Sequence, residues 1–413
     1  MPEMQKIFDR IEGYRDEVIR FQTDLVSKIA LGPANNGTGE HDKAEYLKKR
    51  LKELRPDYFE EIRVPDKRAA GGYRPNLIAK WETESRLPLV WILSHMDIVP
   101  PGDLSLWEGD PYRAKVEGNK IIGRGVEDNH HGMISSYLAL KAILESGKTL
   151  ARPVGLALVA DEETGSEFGL EYLLRHRREV FGPDDLIIVP DGGNHDGTMI
   201  EVAEKSMLWI RFTVKGLQCH GSTPEKGKNS LYGAARLIVD LENLKEEFPL
   251  TDELFSPPFS TFESTKIEAN VPNINTIPGK DTFYMDCRIL PIYEVQDVID
   301  AIKRLANNLE KILEVNIRVE PVHRQDAANP TPVDAPVVKA LTRAIKSVKG
   351  LDAEPKGIGG GTVAAFFRQA GLPAAVWITS QETAHQPNEY CLIDDVISDA
   401  GVFASVYMDE SVE

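Results

Sequence analysis

Cysteine is scarce in this 413-residue chain: Cys219, Cys287 and Cys391 stand far apart, odd in number and without a C-x-x-C pair. That argues against a disulfide framework and reads as three small apolar side chains in a reducing cytoplasm. Cys219 directly precedes His220, but neighbours on a strand face opposite ways, which argues against a thiol nucleophile there. Basic residues are outnumbered, 48 Lys and Arg against 65 Asp and Glu, for a net charge of −17. A surface of that sign does not suit nucleic acid. Long apolar runs are missing too: none approaches the ~20 residues of a membrane helix. The charged opening MPEMQKIFDRIEGYRDEVIR is no secretory leader, so a cytoplasmic, membrane-free protein is expected. No repeat, low-complexity tract or polybasic tail stands out. What remains is globular, 42% hydrophobic and 27% charged, and long enough for two domains.

Residues 14–31 and 41–55 read as helices joined by the turn-rich LGPANNGTGE. Apolar strands then alternate with helices: LPLVWILSHMDIV, GMISSYLALKAILES, VGLALVADEE, GLEYLLRHRREV and LIIVPD. Near-continuous apolar strands in a β/α alternation predict an α/β fold, a mostly parallel sheet with helices on both faces. The texture changes near residue 207. MLWIRFTVKG is a two-faced strand, SLYGAARLIVDLENLKEEF a helix, INTIPGKDTFYMDCRIL a hairpin turning at Pro278-Gly279, EVQDVIDAIKRLANNLEKIL a helix and VNIRVEPV a strand. This is the pattern of a small α+β domain. After residue 326 helices and the buried strand AAVWI return. The expected division is a sheet domain of residues 1–206 and 326–413, with residues 207–325 inserted.

Acids and histidines recur where these strands end. In SHMDIVP, His95 and Asp97 share a strand face; a metal-bound imidazole needs a partner for its second nitrogen, although such a histidine also serves structurally. In GRGVEDNHHGM, Asp128 stands before a helix as a candidate ligand or an N-cap. His130 and His131 add candidate ligands, but a helix start turns them toward solvent. DEETGSE closes an apolar strand, so Glu162 and Glu163 can reach different targets, one a cation and the other a water proton. A solvated loop is the alternative. LIIVPDGGN ends in Asp191, and AHQPNEY sets His385 after AAVWI. Ligands gather at the carboxyl ends of strands in open α/β sheets. Two histidines and three carboxylates exceed the three protein ligands of one catalytic zinc. They suit two cations about 3.5–4 Å apart that share a carboxylate.

With SHMDIVP, GRGVEDN, DEETGS, DGG, HGSTPEKGKN, NTIPG and HQPNEY in this order, the chain resembles the co-catalytic zinc exopeptidases and deacylases. That family includes glutamate carboxypeptidase, aminoacylase, acetylornithine deacetylase and succinyl-diaminopimelate desuccinylase. The resemblance spans almost the whole chain. It implies that His95 and Asp191 hold one Zn2+, that Glu163 and His385 hold the second, and that Asp128 bridges them. It implies that Asp97 orients His95 and that Glu162 is the general base. The insertion would be a lid and dimerisation domain, with His220 reaching the partner subunit's active site in a homodimer to help stabilise the oxyanion. Asn273 or Asn275, Arg288, and Gly360 and Gly361 of GIGGGTVAAFF fall where the family contacts substrate; Arg288 could equally form a strand-face salt bridge, and the glycines a simple turn.

The bridging motif departs from the family's usual Met-Lys-Gly, with Asn129-His130-His131-Gly132, and Val363 stands where Asp is frequent. Neither departure touches an implied ligand. The expected activity is hydrolysis of an amide in an N-acyl amino acid or short peptide, deacylase- or desuccinylase-like. A carboxypeptidase or dipeptidase is the alternative, and a non-catalytic ligand-binding homologue a remote one. Carboxylate and imidazole donors would also accept cobalt or manganese. GIGGG hints at a nucleotide phosphate, but it follows no expected strand and lacks the G-x-G-x-x-G spacing.

Overall fold

A computed structural model describes residues 2–411. The chain divides into two compact units. The first takes residues up to Val202, Thr331–Lys356 and Thr362 onward; the second takes Ala203–Pro330 and Gly357–Gly361.

The first unit is built on an eight-stranded sheet. Its strands lie in the order Tyr58–Pro65, Tyr73–Trp81, Val154–Val159, Val90–His95, Leu186–Asn194, Ala374–Thr379, Met199–Glu204 and Glu354–Ile358. The central four run parallel and antiparallel strands flank them. Val90–His95, Val154–Val159 and Ala374–Thr379 are buried along their whole length, as strands covered on both faces must be. One face packs Trp91, Leu93, Val159 and Ile187 against Leu173 and Phe367 of short helices. The other carries the helices His130–Glu145, Pro336–Lys349 and Ile393–Tyr407. Parallel register places His95 beside Val159, and Ile92 beside Ile188. The loops that leave these strands therefore emerge at one end of the sheet.

The helix His130–Glu145 corrects the expectation that His130 and His131 face solvent, since both are buried. This helix is apolar nearly all round, so its first turn is covered along with the rest. A Cβ on Gly132 would lie 2.4 Å from the Pro190 side chain, so only glycine allows the helix start to close on the strand that carries Asp191. His131 then joins a buried network. Asp399, on the last helix, accepts from Thr379 N–H at 2.8 Å and lies 2.9 Å from Lys349 Nζ and 3.1 Å from His131 Nε2. Burial opposes its charge, but Lys349 and His131 outweigh that and hold its carboxyl down at about 2. Its folded pKa is below its unfolded value, so its stabilisation is present above pH ~4 and is lost as pH falls toward 2. Asp399→Asn should remove about 2 kcal/mol at neutral pH and flatten acid unfolding in that window, read by circular dichroism. An unchanged acid limb would refute this.

The second unit has a four-stranded antiparallel sheet ordered Thr261–Ile267, Lys280–Ile289, Ser206–Lys215, Asn316–Gln325. Leu208, Ile210, Phe212 and Val214 face Leu237, Leu241, Val298 and Ile302 of the helices Ser230–Leu241 and Val295–Leu313. The expected hairpin at Pro278-Gly279 does not form. Thr276–Ile277 pairs with Cys219–His220, and Lys280–Ile289 pairs with Ser206–Lys215 along its whole length. A full-length ladder to a distant strand offers far more hydrogen bonds and cross-strand contacts than a two-residue neighbour. Likewise GIGGG is not free of a strand, since its first two residues close Glu354–Ile358 and the glycines 359–361 follow; its spacing alone argues against a nucleotide loop. No helix among the described residues is long and apolar enough to cross a membrane.

Candidate metal centre

His95 closes its strand, buried, at the carboxyl end of the parallel sheet. Its Nδ1 lies 3.1 Å from the carbonyl oxygen of Asp97 and 3.5 Å from that residue's carboxylate. The carboxylate of Asp97 has a second task. It accepts the N–H groups of Glu162 at 3.1 Å and Glu163 at 3.0 Å, tying the turn after Val154–Val159 to the loop after Val90–His95. Asp97 thus orients His95 chiefly through its backbone and the two glutamates through its side chain.

Asp128 is not the N-cap of the helix His130–Glu145, because Asn129 takes that position. The Asn129 amide donates to Pro190 O at 2.6 Å and to Asp191 Oδ1 at 2.8 Å. Asp128 is left to place one oxygen 2.7 Å from His95 Nε2 and the other 3.0 Å from His385 Nε2. Asp191 lies 3.5 Å from His95 Nε2, and Glu163 lies 3.1 Å from His385 Nε2. His95, Glu162 and Asp191 offer donor atoms within 4.8 Å of one another, as do His95, Asp128 and Glu163. All seven residues expected at this centre, from His95 through His385, therefore meet in the first unit.

The electrostatics follow from crowding. Burial opposes ionisation of Asp128, but the imidazoles of His385 and His95 outweigh it and hold the carboxyl far below the usual range. Burial, then the charge of Asp191, pushes Glu162 well up. Burial and Asp128 raise Glu163 to about 7. Hydrogen bonds to Asp128 and Glu163 raise His385 to about 10.

The remaining expected residues belong to the second unit. His220 is exposed, and its Nδ1 accepts the N–H of Ser222 at 3.2 Å; in the neutral ring the proton then sits on Nε2, directed away. Asn273 and Asn275 are exposed, with Asn275 O accepting from Gly221 N–H at 2.7 Å. Arg288 forms the strand-face salt bridge, two-pronged onto Asp286 at 2.7 and 3.0 Å. Its third contact, at 2.9 Å, is to the carbonyl of Gly359, next to Gly360 and Gly361. A Cβ on Gly361 would lie 2.9 Å from the Gln325 amide.

Residues 91–409 match Peptidase family M20/M25/M40. The chain belongs to this family. It is 42% identical over 407 residues to an uncharacterized metallohydrolase of Methanocaldococcus jannaschii, spanning 95% of this chain and 98% of that one. It is 28% identical over 338 residues to a succinyl-diaminopimelate desuccinylase of Gluconacetobacter diazotrophicus, spanning 80% and 83%. Its fold is similar to that of a dipeptidase from Saccharomyces cerevisiae, with TM-score 0.76 at 14% identity over 100% of both chains. An M20 family metallo-carboxypeptidase of Sulfolobus solfataricus gives 0.69 at 20% identity, over 95% and 99%.

As a member of Peptidase family M20/M25/M40 the protein is a metallohydrolase, and membership implies a divalent metal. The side chains fit one. Three carboxylates, those of Asp128, Glu163 and Asp191, face two imidazoles, and Glu163 Oε1 is buried without a hydrogen-bond partner. An excess of buried like charge around an open acceptor is what a divalent cation relieves.

Sequence reading missed the groups beneath this centre of the M20 member. Arg74, buried, donates to both oxygens of Glu40 and to Asp161. Lys43 Nζ, equally buried, lies 2.8 Å from His130 Nε2, and burial lowers its pKa to about 7. Glu389 accepts four hydrogen bonds from the loop that carries Asp128. Asp161 and Glu389 carried a usable signal, since they lie within DEETGS and HQPNEY; Glu40, Lys43 and Arg74 follow no spacing rule.

Proposed function

We propose that the protein is a dinuclear zinc amidohydrolase that cleaves an N-acyl amino acid or a short peptide with a free carboxylate, with deacylase- or desuccinylase-like specificity. The reading rests on one observation above all. The two oxygens of Asp128 meet two different imidazoles, those of His95 and His385. In this reading His95 and Asp191 hold one cation, Glu163 and His385 the other, and Asp128 both. The bound cations would polarise the amide carbonyl and make a water acidic enough to ionise near neutral pH. Glu162 takes the proton of the attacking water and returns it to the leaving nitrogen. His220 presents its Nε2–H to the carbonyl oxygen as charge develops there. Asn273, Asn275, Arg288, Gly360 and Gly361 are assigned to the substrate's carboxylate end.

A panel of N-succinyl and N-acetyl amino acids against dipeptides, each assayed with zinc and with cobalt for released amine, tests the substrate class. The acyl compounds are expected to give kcat/KM at least tenfold above any dipeptide. The reverse ranking would make the enzyme a dipeptidase or carboxypeptidase.

The inserted unit is proposed to form a homodimer in which His220 acts in the partner's site. Leu231, Tyr232 and Val239 stand exposed on one helix of that unit, a suitable apolar surface for such contact. Mixing Glu162→Gln with His220→Ala subunits should restore part of the activity that neither variant shows alone. No recovery, with subunit exchange confirmed by mass, would mean each subunit works by itself.

A further inference from the structure

We propose that Glu127 and Glu389 are positioning residues forming a crossed clamp between the loops that bear Asp128 and His385, and that this clamp sets the affinity of the second cation. The inference rests on the two-cation reading above.

Each loop carries one metal-facing side chain and one buried carboxylate that serves the other loop. Glu389, fully buried, follows His385 by four residues. It accepts the N–H groups of Gly125 at 3.0 Å, Glu127 at 2.9 Å and Asp128 at 3.1 Å, and the Arg124 guanidinium at 2.6 Å. Glu127, also buried, precedes Asp128. It accepts from Ser380 Oγ at 2.9 Å, from Thr383 N–H and Oγ1 at 2.6 Å each, and from the Gln381 N–H. Arg124 closes the figure, with Nη2 lying 3.4 Å from His385 O.

Neither loop is helix or strand at these positions, so its peptide N–H groups have no ladder to enter and need other acceptors. A buried carboxylate is costly unless several charge-assisted hydrogen bonds hold it. Here each carboxylate supplies the acceptors the opposite loop needs, and each loop supplies the donors that make the burial tolerable. The bonds end on Asp128 itself and on Thr383, two residues before His385. Contact between Asp128 and His385 at 3.0 Å is therefore set by this exchange. His95 and Asp191 are held by other means, the strand with Asp97 and the Asn129 amide. Loosening the His385 loop should then fall on one cation and spare the other.

The test titrates metal-free wild type, Glu127→Gln and Thr383→Val with Co2+, reading visible absorption, and with Zn2+ against a chromophoric chelator. Wild type is expected to take two equivalents. Glu127→Gln should bind one as wild type does and the other ~10–100-fold more weakly, with its lost turnover recovered at excess metal. Thr383→Val, which removes no charge but takes away the hydroxyl that donates to Glu127 and accepts from Tyr390 N–H, should weaken the same equivalent severalfold. It carries the test alone if Glu127→Gln does not fold. Two equivalents in wild type with unchanged affinity in the folded variants would overturn the clamp. Equal weakening of both equivalents would also overturn it, because the pair would then be general scaffold. Fewer than two equivalents in wild type would overturn the dinuclear reading instead.

Discussion

Glu162→Gln is expected to lower kcat by at least ~100-fold, the scale of a lost general acid–base group, while metal content and thermal unfolding stay as in wild type. The backbone of Glu162 is pinned by the Asp97 carboxylate, and that bond does not involve its side chain. The amide keeps the shape of the carboxyl but has no oxygen able to take a proton. Glu162 also lies within ligand distance of His95 and Asp191, which sharpens the experiment. A base leaves metal bound when neutralised; a ligand releases it. Metal analysis of the purified variant separates the two. Retention of more than a tenth of wild-type turnover would end the assignment of Glu162 as base.

Replacing Arg74 should give the largest loss of stability in the first unit. Arg74 lies 2.7 Å from Glu40 through Nε and 3.1 Å from Asp161 through Nη1, and arginine and glutamate are both fully enclosed. Arg74→Met keeps most of the apolar stem but leaves two buried carboxylates without their cation, a change that typically costs about 3–5 kcal/mol. Arg74→Lys should recover little, because one ammonium cannot reproduce the guanidinium fork. Urea unfolding of the metal-free protein measures both. A loss under about 1 kcal/mol for Arg74→Met would show that this network contributes little beyond packing. Activity should fall with stability, since Asp161 immediately precedes Glu162 and Glu163 and its carboxylate also accepts from Phe168 N–H at 3.1 Å.

Much of this architecture was readable along the chain. Strands such as Val90–His95 and Val154–Val159 are buried along their whole length because helices cover both faces, and their near-continuous apolar runs, VWIL and VGLALV, report that burial directly. The acids and histidines at strand ends were legible because parallel strands release their loops at one end. Where reading by neighbours failed, a distant partner prevailed. Lys280–Ile289 chose Ser206–Lys215 over its adjoining segment. His130 and His131 were buried by a sheet that their helical position does not announce.

Residue patterning on its own therefore dictated the α/β class and which side chains could bear the chemistry, since both are properties of short segments and of strand period. Which carboxylate answers which loop emerged only on folding. Glu127 meets Thr383 across 256 residues, and Arg74 meets Asp161 across 87. No local rule specifies such bonds, because buried polar groups are satisfied by whatever donor or acceptor the packed chain brings to them.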